Sequence, residues 1–216
     1  MIKRPFKASL RLSFKPIALL SAVLLMPFSG AASAEATAKQ QAKQLFQSCA
    51  SCHGQQAEGQ AALGAPTLAG QLPSYLERAM AEFAAGKRGQ EDHYAQQMAA
   101  MSASLQDEQQ RKLLANYISA LPSKEIQVPA RSGDAAYRLY QASCGGCHGV
   151  KAEGNKALNS PRLAGMDEAY LTRQLEHFRS GKRSANSRYA KQMQMMANTL
   201  KGPQDIKLIS QFIAKL

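Results

Sequence analysis

Tryptophan is missing from the 216 residues, aromatic side chains amount to 6 %, and there are only four cysteines. Each shortage excludes something. A chain without the bulkiest ring, and with few others, builds a small core. The cysteines fall into two C-x-x-C pairs, Cys49 with Cys52 and Cys144 with Cys147. A bridge within such a pair closes a tiny loop and restrains little of the unfolded chain, so a disulfide framework does not account for them. Runs alternating β-branched and polar residues are missing, which argues against a sheet architecture. The longest predominantly apolar run, Ile17 to Phe28, falls well short of the roughly 20 residues a spanning helix needs. Acidic residues are also scarce, 15 against 27 basic.

The apolar run follows Lys3, Arg4, Lys7, Arg11 and Lys15 and ends in the small residues Ala32-Ser33-Ala34. This three-part pattern reads as a secretory signal, cleaved after Ala34. The mature chain, Glu35 to Leu216, is then expected to be exported, to the periplasm in a bacterium. Without the five leader cations it keeps 22 basic residues against 15 acidic, a net charge of +7. Such a surplus biases docking without calling for nucleic acid.

Sliding the chain along itself gives one dominant offset, 95 residues. It relates Cys49 to Cys144, Pro66 to Pro161, Gly86 to Gly181 and Met98 to Met193. The unit is too long for a solenoid repeat and reads as a domain. The expected organisation is a leader over 1–34, a module over 35–122, a linker over 123–133 carrying Pro129, and a second module over 134–216. Domains this small are marginal without a metal, cofactor or other staple. The fold class is all-α. Each module is read as an N-terminal helix, a cysteine loop, a middle helix stopping at Gly86 or Gly181, a long methionine-bearing loop, and a final helix beginning near Asp107 or after Gly202-Pro203.

Three chemistries use paired cysteines. A thioredoxin-like dithiol needs a βαβ setting, which the helical pattern lacks, and leaves the adjoining histidine unexplained. A zinc ion shared by both pairs leaves His53 and His148 surplus. The third reading uses every atom, because C-x-x-C-H is the attachment signature of c-type haem. The two thiols add to the porphyrin vinyl groups and the next residue, His53 or His148, gives its imidazole to the iron. Two such motifs at repeat-equivalent positions call for two haems. On the opposite face the candidates are Met98 with Met193, or Met101 with Met196; both sets are repeat equivalents, and spacing leaves the choice open. His93 aligns with Arg188 and His177 with Glu82, so neither serves both modules, and both are read as solvated surface residues.

The segments "CASCHG" and "CGGCHG", "APTLAG" and "SPRLAG", the "YL" helices ending "AGKR" and "SGKR", and "QMAAMSASLQDEQ" with "QMQMMANTLKGPQD" resemble the dihaem cytochromes c4, two class I cytochrome c domains in tandem. The resemblance covers nearly all of the mature chain. It implies Met98 and Met193 as distal ligands, each seven residues before a leucine, Leu105 or Leu200. It also implies that the carbonyls of Pro66 and Pro161 accept from the histidine rings, fixing their orientation. Lys87, Arg88, Lys182 and Arg183 are either partners of haem propionates or solvated charges favourable after a helix C-terminus. Tyr75 and Tyr170 are read as core or haem-wall residues.

The expected function is one-electron relay by a monomeric carrier, from a quinol-oxidising cytochrome bc complex toward a haem-copper terminal oxidase, with peripheral membrane association open. The competing reading is a dihaem subunit or enzyme oxidising a small sulfur compound, which favours a labile or non-methionine ligand in one module. A third, a docking subunit of an oxidase, would share the same haem sites. Residues 35–122 carry a net charge of −1 and residues 123–216 one of +8. The C-terminal haem is therefore expected to hold the electron more tightly and its module to meet an acidic partner.

Overall fold

The structure, a computed structural model, describes residues 30–127, 134–183 and 187–216. Most of the expected leader, residues 1–29, and residues 128–133 of the expected linker lie outside the described residues. Helix α1 runs Gly30–His53. The expected cleavage point therefore falls in its first turns, where Ala34 to Thr37 are exposed; among the described residues burial begins at Ala42.

The counterpart of α1 in the second half is α5, Ala135–Tyr140, continued by a π turn, Gln141–Gly145, and the short α6, Gly146–His148. Asp134 caps α5 by accepting from the Ala136 amide at 2.8 Å. Both C-x-x-C-H motifs thus occupy the last turns of helices, which corrects the expectation of a cysteine loop. The helices stop immediately after the histidines because Gly54 and Gly149 take φ of 85° and 86°, values that suit glycine.

The middle helices are α2, Pro73–Ala84, and α7, Glu168–Arg179. Gly86 and Gly181 lie just beyond them at φ 66° and 79°. The methionine segments, read as long loops, are instead α3, His93–Ser102, and α8, Arg188–Ala197. Their alanines, glutamines and methionines are good helix formers with no glycine or proline between them. Asp92 caps α3, accepting from the Ala95 amide at 2.7 Å. The closing helices are α4, Glu108–Ser119, capped by Asp107, and α9, Pro203–Ala214, with proline in its first turn. Among the described residues no strand forms; two isolated bridges pin the loops, Gln60 with Ala65 and Asn155 with Ser160.

Each half has its own core. In the first, Phe46, Leu76, Leu114 and Ile118 pack together; in the second, Tyr140, Leu171, Ile209 and Ile213 do so. The halves meet through pairs that obey the repeat offset. Arg78 lies over the rings of Tyr75 and Tyr189 at 5.3 and 4.1 Å, and Arg173 over those of Tyr170 and Tyr94 at 5.4 and 4.2 Å. Arg78 donates to the Asn159 carbonyl at 3.3 Å and Arg173 to the Gly64 carbonyl at 3.0 Å. Each arginine therefore sits between a tyrosine of its own module and one of the other.

Other contacts break the offset. Gln71, buried, donates to the Arg162 carbonyl and accepts from the Arg162 amide, both at 2.8 Å. Arg162 in turn donates to the Lys124 carbonyl at 2.7 Å, and Ile126 packs on the second core. Residues 123–127 are accordingly tied to the second module and are not a free spacer, because these polar and apolar contacts offset the entropy of ordering them.

Arg173→Ala removes two ring contacts, the Gly64 hydrogen bond and an ion pair to Asp92 at 3.2 Å. A loss of about 2 kcal/mol is expected, read by calorimetry of the haem-loaded protein as a lower midpoint; an unchanged midpoint would remove this account of the interface.

Candidate metal centre

In the second module Cys144, Cys147, His148 and Met193 line one cavity, together with Met196. Its walls are apolar, built by Leu163, Leu171, Leu175, Phe178, Ile209 and Ile213. The first module contributes as well: Tyr75, Arg78 and Glu82 of α2 close one side.

His148 is 4 % exposed and its Nδ1 lies 2.8 Å from the Pro161 carbonyl. A carbonyl only accepts, so Nδ1 carries the proton and donates. The lone pair is then on Nε2, the nitrogen that faces the cavity. Burial lowers the basicity of His148 and the Pro161 carbonyl offsets this only in part, so the ring stays neutral and free to coordinate. Opposite it, Met193 Sδ is 3.5 Å from His148 Nε2. A neutral imidazole nitrogen facing a thioether sulfur across an apolar cavity is a donor pair suited to haem iron. Burial and the nearby Cys147 push the Cys144 thiol up to about 12.

The first module repeats the histidine–proline arrangement. His53, also 4 % exposed, has Nδ1 2.9 Å from the Pro66 carbonyl, and burial lowers its basicity against the pull of that carbonyl. Cys49 is half-buried against the first core and Cys52 is exposed. Met98 is half-buried on α3, whereas Met101 is 50 % exposed. All four thiols are free of disulfides, and among the described residues no three His, Cys, Asp or Glu side chains converge on one point. The two cysteine pairs do not meet, which leaves no shared four-cysteine zinc site.

Several side chains differ from expectation. Lys87 and Lys182 are exposed, as solvated charges would be, but Arg88 is 8 % exposed and lies over the Phe83 ring at 4.1 Å. Its repeat partner Arg183 lies over Phe178 at 4.4 Å and donates to the Tyr75 hydroxyl at 3.3 Å. Burial alone would push the Tyr75 phenol up, but Arg183, Arg88 and Arg78 outweigh it and bring the group down to about 8. Tyr170 is pushed up by burial and by its neighbour Tyr75. His93 is exposed against Tyr94 as expected, yet His177 is 8 % exposed, with Nε2 3.7 Å from Asp92 Oδ2. The interface between modules, invisible to a single-module reading, buries it.

Sequence reading passed over Arg78, Arg173, Tyr94, Tyr189 and Asp92. A signal existed for the first four: arginine and tyrosine held at the 95-residue offset without helical core spacing.

The Cytochrome c family profile matches residues 40–122 and 134–216. Cytochrome c4 of Pseudomonas aeruginosa is 31 % identical over 92 % of this chain and 98 % of its own length. The thiosulfate dehydrogenase electron acceptor of Stutzerimonas stutzeri is 31 % identical over 78 % of this chain and 80 % of its own. The solved reduced cytochrome c4 from Pseudomonas stutzeri superposes with a TM-score of 0.64 at 23 % identity, covering 82 % of this chain and 98 % of that one, a likeness of fold. Two profile matches, two C-x-x-C-H helix ends and two buried histidines of one tautomer converge: the chain belongs to the cytochrome c family, as a tandem of two modules of cytochrome c4 type, and carries two covalent haem c groups.

Proposed function

We propose that the protein is an exported carrier that moves single electrons, with Cys49, Cys52, Cys144 and Cys147 holding the haems, His53 and His148 as proximal ligands, and Met98 and Met193 as distal ligands. The observation that carries this reading is Met193 Sδ facing His148 Nε2 at 3.5 Å within an apolar wall. Haem held there supplies a one-electron iron couple whose potential the thioether raises. Two strong protein donors leave no position for a substrate, which favours relay over catalysis. Met196 lines the same cavity without that alignment, and Met101 is half exposed, so both remain second choices. Arg183 stands in the cavity wall, where its guanidinium suits a carboxylate partner.

Docking is assigned to the second module. In the loop that follows its C-x-x-C-H helix end Val150 and Leu158 are 57 % and 48 % exposed, with Lys151 and Lys156 exposed beside them. The equivalent positions of the first module are Gln55, Leu63, Gln56 and Ala61, without a cation. An apolar centre with a basic rim fits an acidic acceptor, in the favoured reading the electron-receiving domain of a haem-copper oxidase, with a cytochrome bc complex as donor. Among the described residues no helix is long and apolar enough to cross a membrane. The second reading, service to a sulfur-compound dehydrogenase, is favoured by one observation, the relative described as a thiosulfate dehydrogenase electron acceptor.

Two measurements follow. Met193→Ala is expected to abolish the methionine–iron charge-transfer band of one haem and turn it high-spin, while Met196→Ala keeps both bands; the opposite result would exchange the ligands. Oxidation of the reduced protein by an acidic acceptor is expected to slow several-fold as salt rises past the Debye-screening range. Lys151→Glu with Lys156→Glu should do the same at low salt, and a salt-independent rate would remove the docking assignment.

A further inference from the structure

Asp92 is the point where the two modules stop being alike. Its repeat counterpart is Ser187, which makes no side-chain cap. One carboxylate oxygen, Oδ1, accepts from the Ala95 amide and so holds the start of α3, the helix carrying Met98. The other, Oδ2, faces the second module, 3.2 Å from Arg173 Nε and 3.7 Å from His177 Nε2. His177 and Arg173 lie on α7, whose Leu171, Gln174, Leu175 and Phe178 line the second cavity. His177 is itself a departure from the repeat, since position 82 is a glutamate.

We propose that Asp92 and His177 form a proton-responsive link between the two redox sites, the carboxylate positioning the methionine helix of the first module and the histidine adjusting the potential of the second haem. The link rests on the electron-carrier reading above. Four charged groups face the imidazole: Asp92 and Glu91 from the first module, Arg173 on its own helix and Lys182 just beyond it. Glu91 is already engaged by Arg88, at 3.6 Å, and by the Gly89 amide. Asp92 is thus the anion at hand. His177 Nε2 faces Asp92 Oδ2 at 3.7 Å, whereas Nδ1 is buried with no hydrogen-bond partner among the described residues, so Nε2, beside the carboxylate, is the nitrogen that takes a proton.

The balance is one electron and one proton. When the donor delivers an electron, the second site would lose one positive charge and His177 would accept a proton at Nε2, drawn from solvent; when the electron leaves, the proton returns. Burial holds His177 below the ordinary histidine range and Asp92 pulls it back only in part. Electron gain raises its proton affinity. The potential of the second haem therefore falls as pH rises between the proton affinities of the oxidised and reduced forms, and is flat on either side.

The test is spectroelectrochemical titration of the full haem-loaded protein from acid to neutral pH. The second haem is identified by the shift its potential takes in Met193→His. Wild type should show a falling potential for that haem on the acid side of the usual histidine range. His177→Gln should abolish the fall, and His93→Gln, at an exposed ring, should leave it. Asp92→Asn keeps a good N-cap while removing the charge, so it should move the fall to lower pH with α3 intact. A pH dependence that survives in His177→Gln belongs to the haem propionates and overturns the link, as does a flat wild-type profile. Should His177→Gln fail to take up haem, NMR titration of the His177 ring in oxidised and reduced wild type decides: equal midpoints overturn the proposal. Loss of the methionine band from wild type at every pH would instead overturn the carrier reading, which separates the two failures.

Discussion

Each site turns on one hydrogen bond, from a histidine Nδ1–H to a proline carbonyl thirteen residues further on. It does two things at once. It sets the tautomer, leaving Nε2 as a base aimed into the cavity, and it folds the loop after the C-x-x-C-H turn back over the helix end. Gly54 and Gly149 make the fold-back feasible, since each turns the chain at positive φ immediately after the ring. Gly59 and Gly154 complete it: each amide donates to the carbonyl of the same histidine, at 2.7 and 2.8 Å. A side chain at 59 would meet the Thr67 amide at 2.6 Å and one at 154 the Arg162 amide at 2.7 Å. The ring is therefore held from its nitrogen and from its own backbone.

Around these two sites the chain arranges charge unequally on an almost symmetric frame. Arg78 and Arg173, each between two tyrosines, lock the modules by matched contacts. Gln71, Asp92 and His177 are where the match fails. A carrier with two equal centres gains nothing in direction; one whose second half holds more positive charge favours the electron there.

Much of this was readable from residues alone. The duplication, the helical class, the attachment motifs and the start and stop residues Asp107, Gly86 and Gly181 are local signals, and local signals survive into the fold. The proline carbonyls came from the family resemblance, not from spacing. Two readings missed, one over helix propensity and one by treating polarity as exposure. The methionine segments looked like loops, although uninterrupted alanine, glutamine and methionine favour helix. His177 is read from sequence as solvated and Arg88 as either solvated or a propionate partner, although one module covers the polar face of the other. Nothing in the spacing of a single copy reports what a second copy buries.

The arginine–tyrosine lock is symmetric in its geometry. Position 78 meets 189 and 159, while 173 meets 94 and 64, so the same patch is used on both sides. That is the contact a symmetric pair of separate chains makes. Here both halves of that isologous contact belong to one chain. Positions 92 and 187 can therefore differ, Asp in one and Ser in the other, as two copies of an identical chain could not.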